Sequence, residues 1–225
     1  MNKAIQEQLS YYLERLQREQ EERGARDRVV SSYTDAIGRC YDLLGETENA
    51  LKYFVLSSEA CLRSLTDRKG ASLSRPHERG HDRLTCARIL WRANDNRAKT
   101  YFQQALEEYQ KGYNWEVEGI RIDCWHHSIY CLIFLEDYQA AMTIAKSSDT
   151  LEQNYPPWED PGHLTKRLIT VIENCQKNSI AAHTESLSIL EEFFRIEKRE
   201  LYWQNPSPIA DVYEFVKRKL VELQV

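Results

Sequence analysis

Between positions 115 and 135 the chain reads WEVEGIRIDCWHHSIYCLIFL, with Arg121 and His126 five residues apart and His127 beside them. A guanidinium can stabilise negative charge as it develops on a phosphate, and an imidazole can move a proton near neutral pH. The plainer expectation is that the Arg and both His residues are hydrogen-bonded at the edge of a buried helix. A second group, His77 and His81 with Glu78, Asp82 and Cys86 nearby, has the H-x3-H spacing that chelates a metal when it lies on a helix. Pro76 and Gly80 argue against a helix there, and no second ligand pair is evident, so solvated loop histidines and no metal or cofactor are expected.

Two charged surfaces suggest binding. From 68 to 92 the chain places Arg68, Lys69, Arg75, Arg79, Arg83, Arg88 and Arg92 against Asp67, Glu78 and Asp82, a local positive excess that could meet an acidic partner or RNA. From 107 to 118, Glu107, Glu108, Glu116 and Glu118 alternate with Tyr109, Tyr113 and Trp115. Rigid aromatic area bordered by carboxylates suits a basic protein partner. The expected binding residues are therefore Tyr109, Tyr113, Trp115, Glu116 and Glu118, with Tyr109 and Trp115 equally suited to a core. No glycine-rich phosphate loop, G-x-S-x-G elbow, H-E-x-x-H or Walker motif occurs, which leaves ordinary enzyme classes unsupported.

Composition sets the scaffold that would hold such groups. In 225 residues the apolar fraction is 42% and the charged fraction 29%, as in ordered globular proteins, while 8 glycines and 6 prolines favour long helices. A net charge of −5 argues against general nucleic-acid binding. Cys40, Cys61, Cys86, Cys124, Cys131 and Cys175 fall at apolar helical positions without a C-x-x-C pair, so buried reduced thiols are expected. The polar N-terminal stretch and the lack of an apolar run of about 18 residues predict a cytoplasmic protein without a membrane segment.

Apolar spacing then predicts about ten helices in one all-α domain over 1–225. Ile5, Leu9, Leu13 and Leu16 share one helical face, and Val30, Tyr33, Ile37, Cys40 and Leu44 share another before Gly45. The next helix has two apolar faces, Ala50, Phe54, Ser57, Cys61 and Leu65 on one, Leu51, Val55 and Leu62 on the other. That pattern predicts contacts with two layers. Residues 82–111 read as two helices folded back at Asn94 and Asp95, residues 67–81 as a long exposed loop, and residues 148–162 as a second loop forced by Pro156, Pro157, Pro161 and Gly162. The stretch after Ile120 is apolar on nearly every side and should be buried. C-terminal helices fill 163–225, and residues 206–224 should cap that end.

The segment LLGETENALKYFVLSSEA at 43–60 resembles tetratricopeptide-type repeats, matching a terminal Leu-Gly, a small residue and an aromatic with Leu44, Gly45, Ala50 and Phe54. Weaker copies at 91–109 and 134–145 put the turns near 45, 95 and 137, longer spacings than the family's roughly 34 residues. The resemblance implies a stack of antiparallel helical hairpins, a right-handed α-solenoid, over 26–147. Size, acidity and degenerate repeats also resemble some all-α immunity proteins of bacterial toxin systems, which cover a toxin's active site. Under that likeness the chain is a non-enzymatic protein binder or adaptor, and its partner another, basic protein such as a toxin.

The Arg-x4-His spacing, in turn, resembles the motif of HEPN-type ribonucleases, all-α proteins in which Arg and His residues from two chains act at the RNA 2′-hydroxyl and scissile phosphate. This implies, as the alternative function, metal-independent RNA cleavage by Arg121 and His126. Ile122 departs from the polar residue usual after that Arg.

Overall fold

A computed structural model describes residues 2–23, 27–67, 76–114, 116, 118–147, 161–177, 179–196 and 208–224. Among these residues there are ten helices and no strand. They are α1 (Asn2–Arg23), α2 (Asp27–Leu43), α3 (Thr47–Asp67), α4 (Pro76–Arg92), α5 (Ala98–Lys111), α6 (Glu118–Phe134), α7 (Tyr138–Ser147), α8 (Pro161–Lys177), α9 (Ile180–Ile196) and α10 (Pro208–Glu222). The chain divides into two compact units, Met1–Ser74 with Asp82–Tyr101, and Arg75–His81 with Phe102–Val225.

In the first unit α2 packs against both α1 and α3. Ile5 and Leu16 of α1, Ile37 and Cys40 of α2, and Ala50, Phe54 and Cys61 of α3 are buried, following the apolar spacing of each helix. Gly38 is required at the α2–α3 contact, because a Cβ there would lie 2.7 Å from the Phe54 ring. The Ser57 hydroxyl donates to the Ser31 carbonyl at 2.7 Å and so occupies a buried polar position on the same seam. The second apolar face of α3 is covered only in part: Leu62 is half-buried, while Leu51 and Val55 remain 39% and 39% exposed, as does the neighbouring Leu56 at 42%.

One turn geometry closes three helices. The amides of Gly45 and Glu46 reach the carbonyls of Asp42 and Tyr41, those of Asn94 and Asp95 reach Trp91 and Leu90, and those of Glu136 and Asp137 reach Ile133 and Leu132, all at 2.9–3.0 Å. Each is a Schellman closure around a left-handed residue, with φ of +79° at Gly45, 55° at Asn94 and 59° at Glu136. The next helix then starts on its own cap: Asp95 Oδ1 accepts from the Arg97 amide at 2.9 Å, and Asp137 Oδ1 from the Ala140 amide at 3.1 Å. Cys40, Ile89 and Cys131 are each buried five positions before the left-handed residue, and a buried pair one helical turn apart follows each turn, Ala50–Phe54 and Ala141–Ala145 at five and nine positions and Ala98–Phe102 at four and eight.

In the second unit α6 packs on α7, α8 and α10, while α8 also touches α7 and α9, and α9 touches α10. Helix α10 therefore returns to α6. Phe134 stacks on Phe102 with ring centroids 4.6 Å apart and meets the Phe215 ring edge-on at 5.3 Å. Burial of Ile129 through Phe134 agrees with the apolar character read for this stretch.

The loop expected over 67–81 is corrected in its second half. Helix α4 begins at Pro76, where proline is favoured because the first helical position has no intrahelical amide bond to lose. Gly80 lies inside the helix because a Cβ would meet the Tyr109 ring at 2.5 Å. Residues 68–75 lie outside the described residues, as do 148–160; Pro161, read as a breaker, starts α8.

Candidate functional site

The first turns of α4 and the last of α5 bring four residues of the second unit together with α6. His81 comes from α4, Tyr109 from α5, and Asp123 and His127 from α6, where their i, i+4 spacing puts both on one face. His81 Nε2 lies 2.8 Å from Asp123 Oδ2, and His127 Nδ1 lies 3.1 Å from Asp123 Oδ1. The His127 Nδ1–H also donates to the Asp123 carbonyl at 2.7 Å, and the Tyr109 hydroxyl sits 3.3 Å from His81 Nδ1. His81 and His127 have ring centroids 4.3 Å apart, and His127 stacks on Tyr109 at 5.3 Å and 27°. Ligand atoms of His81, Asp123 and His127 all lie within 4.8 Å of one another.

Electrostatics keep this carboxylate charged. Burial pushes the Asp123 carboxyl up, but hydrogen bonds from His127 and His81 outweigh it and hold the group well below the usual carboxylate range. On α5, Glu108 accepts from Arg79 Nε at 2.7 Å and from Lys111 Nζ at 2.9 Å, and these bonds overcome the upward push of its burial and lower its carboxyl as well. Two imidazoles and an ionised carboxylate can hold a divalent cation or pass a proton.

The residues singled out in the sequence fall differently. Tyr109 is fully buried, which corrects its reading as an exposed anchor: its ring fills the space beside Gly80 and packs against both histidines. Tyr113 is half-buried, and burial pushes its phenol up to about 12. Glu116 is exposed, Glu118 begins α6, and Trp115 lies outside the described residues. Arg121 is half-buried with its Nε enclosed and without a hydrogen-bond partner, while His126 is only 9% exposed. Five residues of helix rotate by about 500°, so Arg121 and His126 stand about 140° apart around α6. The pairing made on this helix is Asp123 with His127. The Asp-x3-His spacing was present in the sequence, and its partner His81 is separated from Asp123 by 42 positions.

A cleft of about 640 Å³ opens between the α6–α7 turn, α8, α9 and α10, bordered by Glu136, Tyr138, Cys175, His183 and Lys219. Lys219 is already bonded to Glu136 at 3.0 Å and lies 3.4 Å from Glu222, so its charge is matched within the cleft. No family model matches the chain, and neither a curated protein nor a solved structure matches it.

Proposed function

We propose that this chain acts by binding another protein, as a degenerate tetratricopeptide-like helical-repeat protein that neutralises or scaffolds a basic partner such as a toxin. The observation that carries the reading is the outer face of α3, where Leu51, Val55 and Leu56 stay exposed although the opposite face of the helix is packed. Glu48, Lys52 and Glu59 lie along the same exposed face. An apolar centre with a charged rim suits a partner with apolar side chains surrounded by charged ones. The threefold recurrence of turn and buried small residue, with an aspartate cap after two of the three turns, supports a repeat architecture, in which each hairpin is one unit. Glu116 and Glu118, and Trp115 between α5 and α6, belong to the proposal as an acidic second contact that speeds encounter.

The full chain serves as bait, and the affinity of the recovered, purified partner is then measured. Leu51→Glu with Val55→Glu should weaken binding by about 30-fold or more, the scale of about 2 kcal/mol for central anchors. Charge reversal at Glu116 and Glu118 should slow association and reduce its salt dependence. Binding unchanged by both pairs overturns the surface. RNA cleavage by the purified chain, lost in Arg121→Ala and His126→Ala, overturns the non-enzymatic reading.

A further inference from the structure

The H-x3-H pair of α4 has the counterpart that the local sequence lacks. His77 and His81 are one helical turn apart, and His81 faces Asp123 and His127, themselves one turn apart on α6. Two i, i+4 pairs on two helices thus present three imidazoles and a carboxylate. His77 and His81 rings are 6.3 Å apart and near perpendicular, and His77 Nδ1 is enclosed with no hydrogen-bond partner. An enclosed, unpartnered imidazole nitrogen one turn from a His–Asp–His group is a donor atom without a protein acceptor or donor to meet.

We propose that His81, Asp123 and His127 form a binding site for a divalent first-row transition ion of the zinc class, with His77 as its fourth ligand. Nitrogen and carboxylate donors select such ions over magnesium or calcium, which prefer all-oxygen shells. Zinc binds His nitrogen and carboxylate oxygen at about 2.0–2.2 Å, so tetrahedral ligand atoms stand about 3.4 Å apart. The three groups, all within 4.8 Å, come to that spacing by side-chain adjustment.

The surrounding shell is that of a metal site. His127 Nδ1 lies 2.7 Å from the Asp123 carbonyl and 3.1 Å from its carboxylate, so ligation through Nε2 keeps the carbonyl bond and ligation through Nδ1 replaces it. For His81, Nε2 faces the carboxylate and Nδ1 faces the Tyr109 hydroxyl. When Nε2 ligates, the single proton of the neutral ring sits on Nδ1 and is donated to the Tyr109 oxygen, and any second proton of an imidazolium leaves to water. Tyr109 is fully buried, so this partner is fixed in place, and the half-exposed edges of His81 and Asp123 give the ion a route in from water. Four closed positions would make the ion a staple between α4 and α6 and not a catalyst, independent of the protein-binding reading.

The test uses the full chain, stripped with a chelator and then loaded with Zn²⁺ or Co²⁺. One ion per chain is expected, with Co²⁺ giving the visible bands of a four-coordinate site and Zn²⁺ raising the thermal midpoint through linkage. Asp123→Asn and His127→Gln should each weaken binding at least about 100-fold, more than an outer-shell change, and Tyr109→Phe about tenfold. Circular dichroism of Asp123→Asn should match that of the parent chain, which separates lost ligation from lost fold. Wild-type affinity no greater than that of Asp123→Asn overturns the proposal. A sulfur-to-cobalt charge-transfer band overturns it as well, since it assigns the ion to thiols. Binding undiminished in His77→Ala overturns the fourth position.

Discussion

Nη2 of Arg92 stands 2.6 Å from Oδ1 of Asp35, an ion pair buried at both ends and joining positions 57 apart in the chain. The same carboxylate is paired with Arg39, one turn later on α2, and the Arg92 guanidinium lies 5.6 Å over the Phe54 ring. One buried carboxylate thus offsets two buried cations in the first unit. Removing one partner of a buried pair leaves an uncompensated charge, which costs about 3–5 kcal/mol. Asp35→Ala should lose that much in urea denaturation, and more than Arg92→Ala, which leaves Asp35 its pairing with Arg39. Equal losses for the two changes would show that Arg39 takes no share of the carboxylate.

Two glycines are predicted to be intolerant for a reason unrelated to backbone freedom. Each lies within a helix, where alanine is intrinsically better by about 1 kcal/mol. A Cβ at Gly38 would nevertheless meet the Phe54 ring at 2.7 Å, and one at Gly80 would meet the fully buried Tyr109 ring at 2.5 Å. Overpacking of this kind costs about 1–3 kcal/mol. Gly38→Ala and Gly80→Ala should therefore lower the midpoint of denaturation, whereas Gly119→Ala, with nothing within 4 Å, should raise it slightly.

These glycines also mark where sequence reasoning succeeded and where it stopped. The turns near 45, 95 and 137 were legible because apolar residues keep one helical register up to each turn and resume it in a new phase afterwards. Gly45 adds a local signal, the left-handed position. The start of α4 was not legible, because Pro76 and Gly80 break helices by intrinsic preference, and what reverses their meaning is a first-turn position and an aromatic ring from α5. The His81–Asp123 pairing depends on tertiary contact between α4 and α6, which spacing within either helix does not encode. Tyr109 was ambiguous for the opposite reason: its position on the α5 stripe implied burial, while its acidic neighbours implied a surface.

All six thiols are buried and none is in a disulfide, and their environment predicts slow chemistry. Burial pushes the Cys40 thiol up to about 11, and those of Cys124 and Cys175 up to about 12. The thiolate is the reactive form, so at pH 8 these three should react with a disulfide reagent at least about tenfold more slowly than an exposed thiol of ordinary pKa near 8.5, even after allowing for the greater nucleophilicity of a high-pKa thiolate. Native chain should thus label slowly, and chain in denaturant should label rapidly at six positions. Rapid stoichiometric labelling of a native thiol would place that cysteine in a more open environment.

Acid stability follows from the two depressed carboxylates of the second unit. Asp123 is held low by His127 and His81, and Glu108 by Lys111 and Arg79, in each case against the upward push of burial. A carboxyl whose pKa is lower in the folded chain contributes stability above its unfolded pKa, about 3.9 for Asp and 4.3 for Glu. That contribution is lost as pH falls through the lower folded values, because protons then bind the unfolded chain first. Stability from these groups should stay level from neutrality to about pH 5 and decline below about pH 4. Glu108→Gln with Asp123→Asn should destabilise the chain at pH 7 yet narrow its difference from the parent steadily between about pH 5 and pH 2, where the parent carboxyls protonate too. Urea midpoints measured across that range decide the matter. A difference that remains constant with pH would mean that neither carboxylate is stabilised by the charges around it.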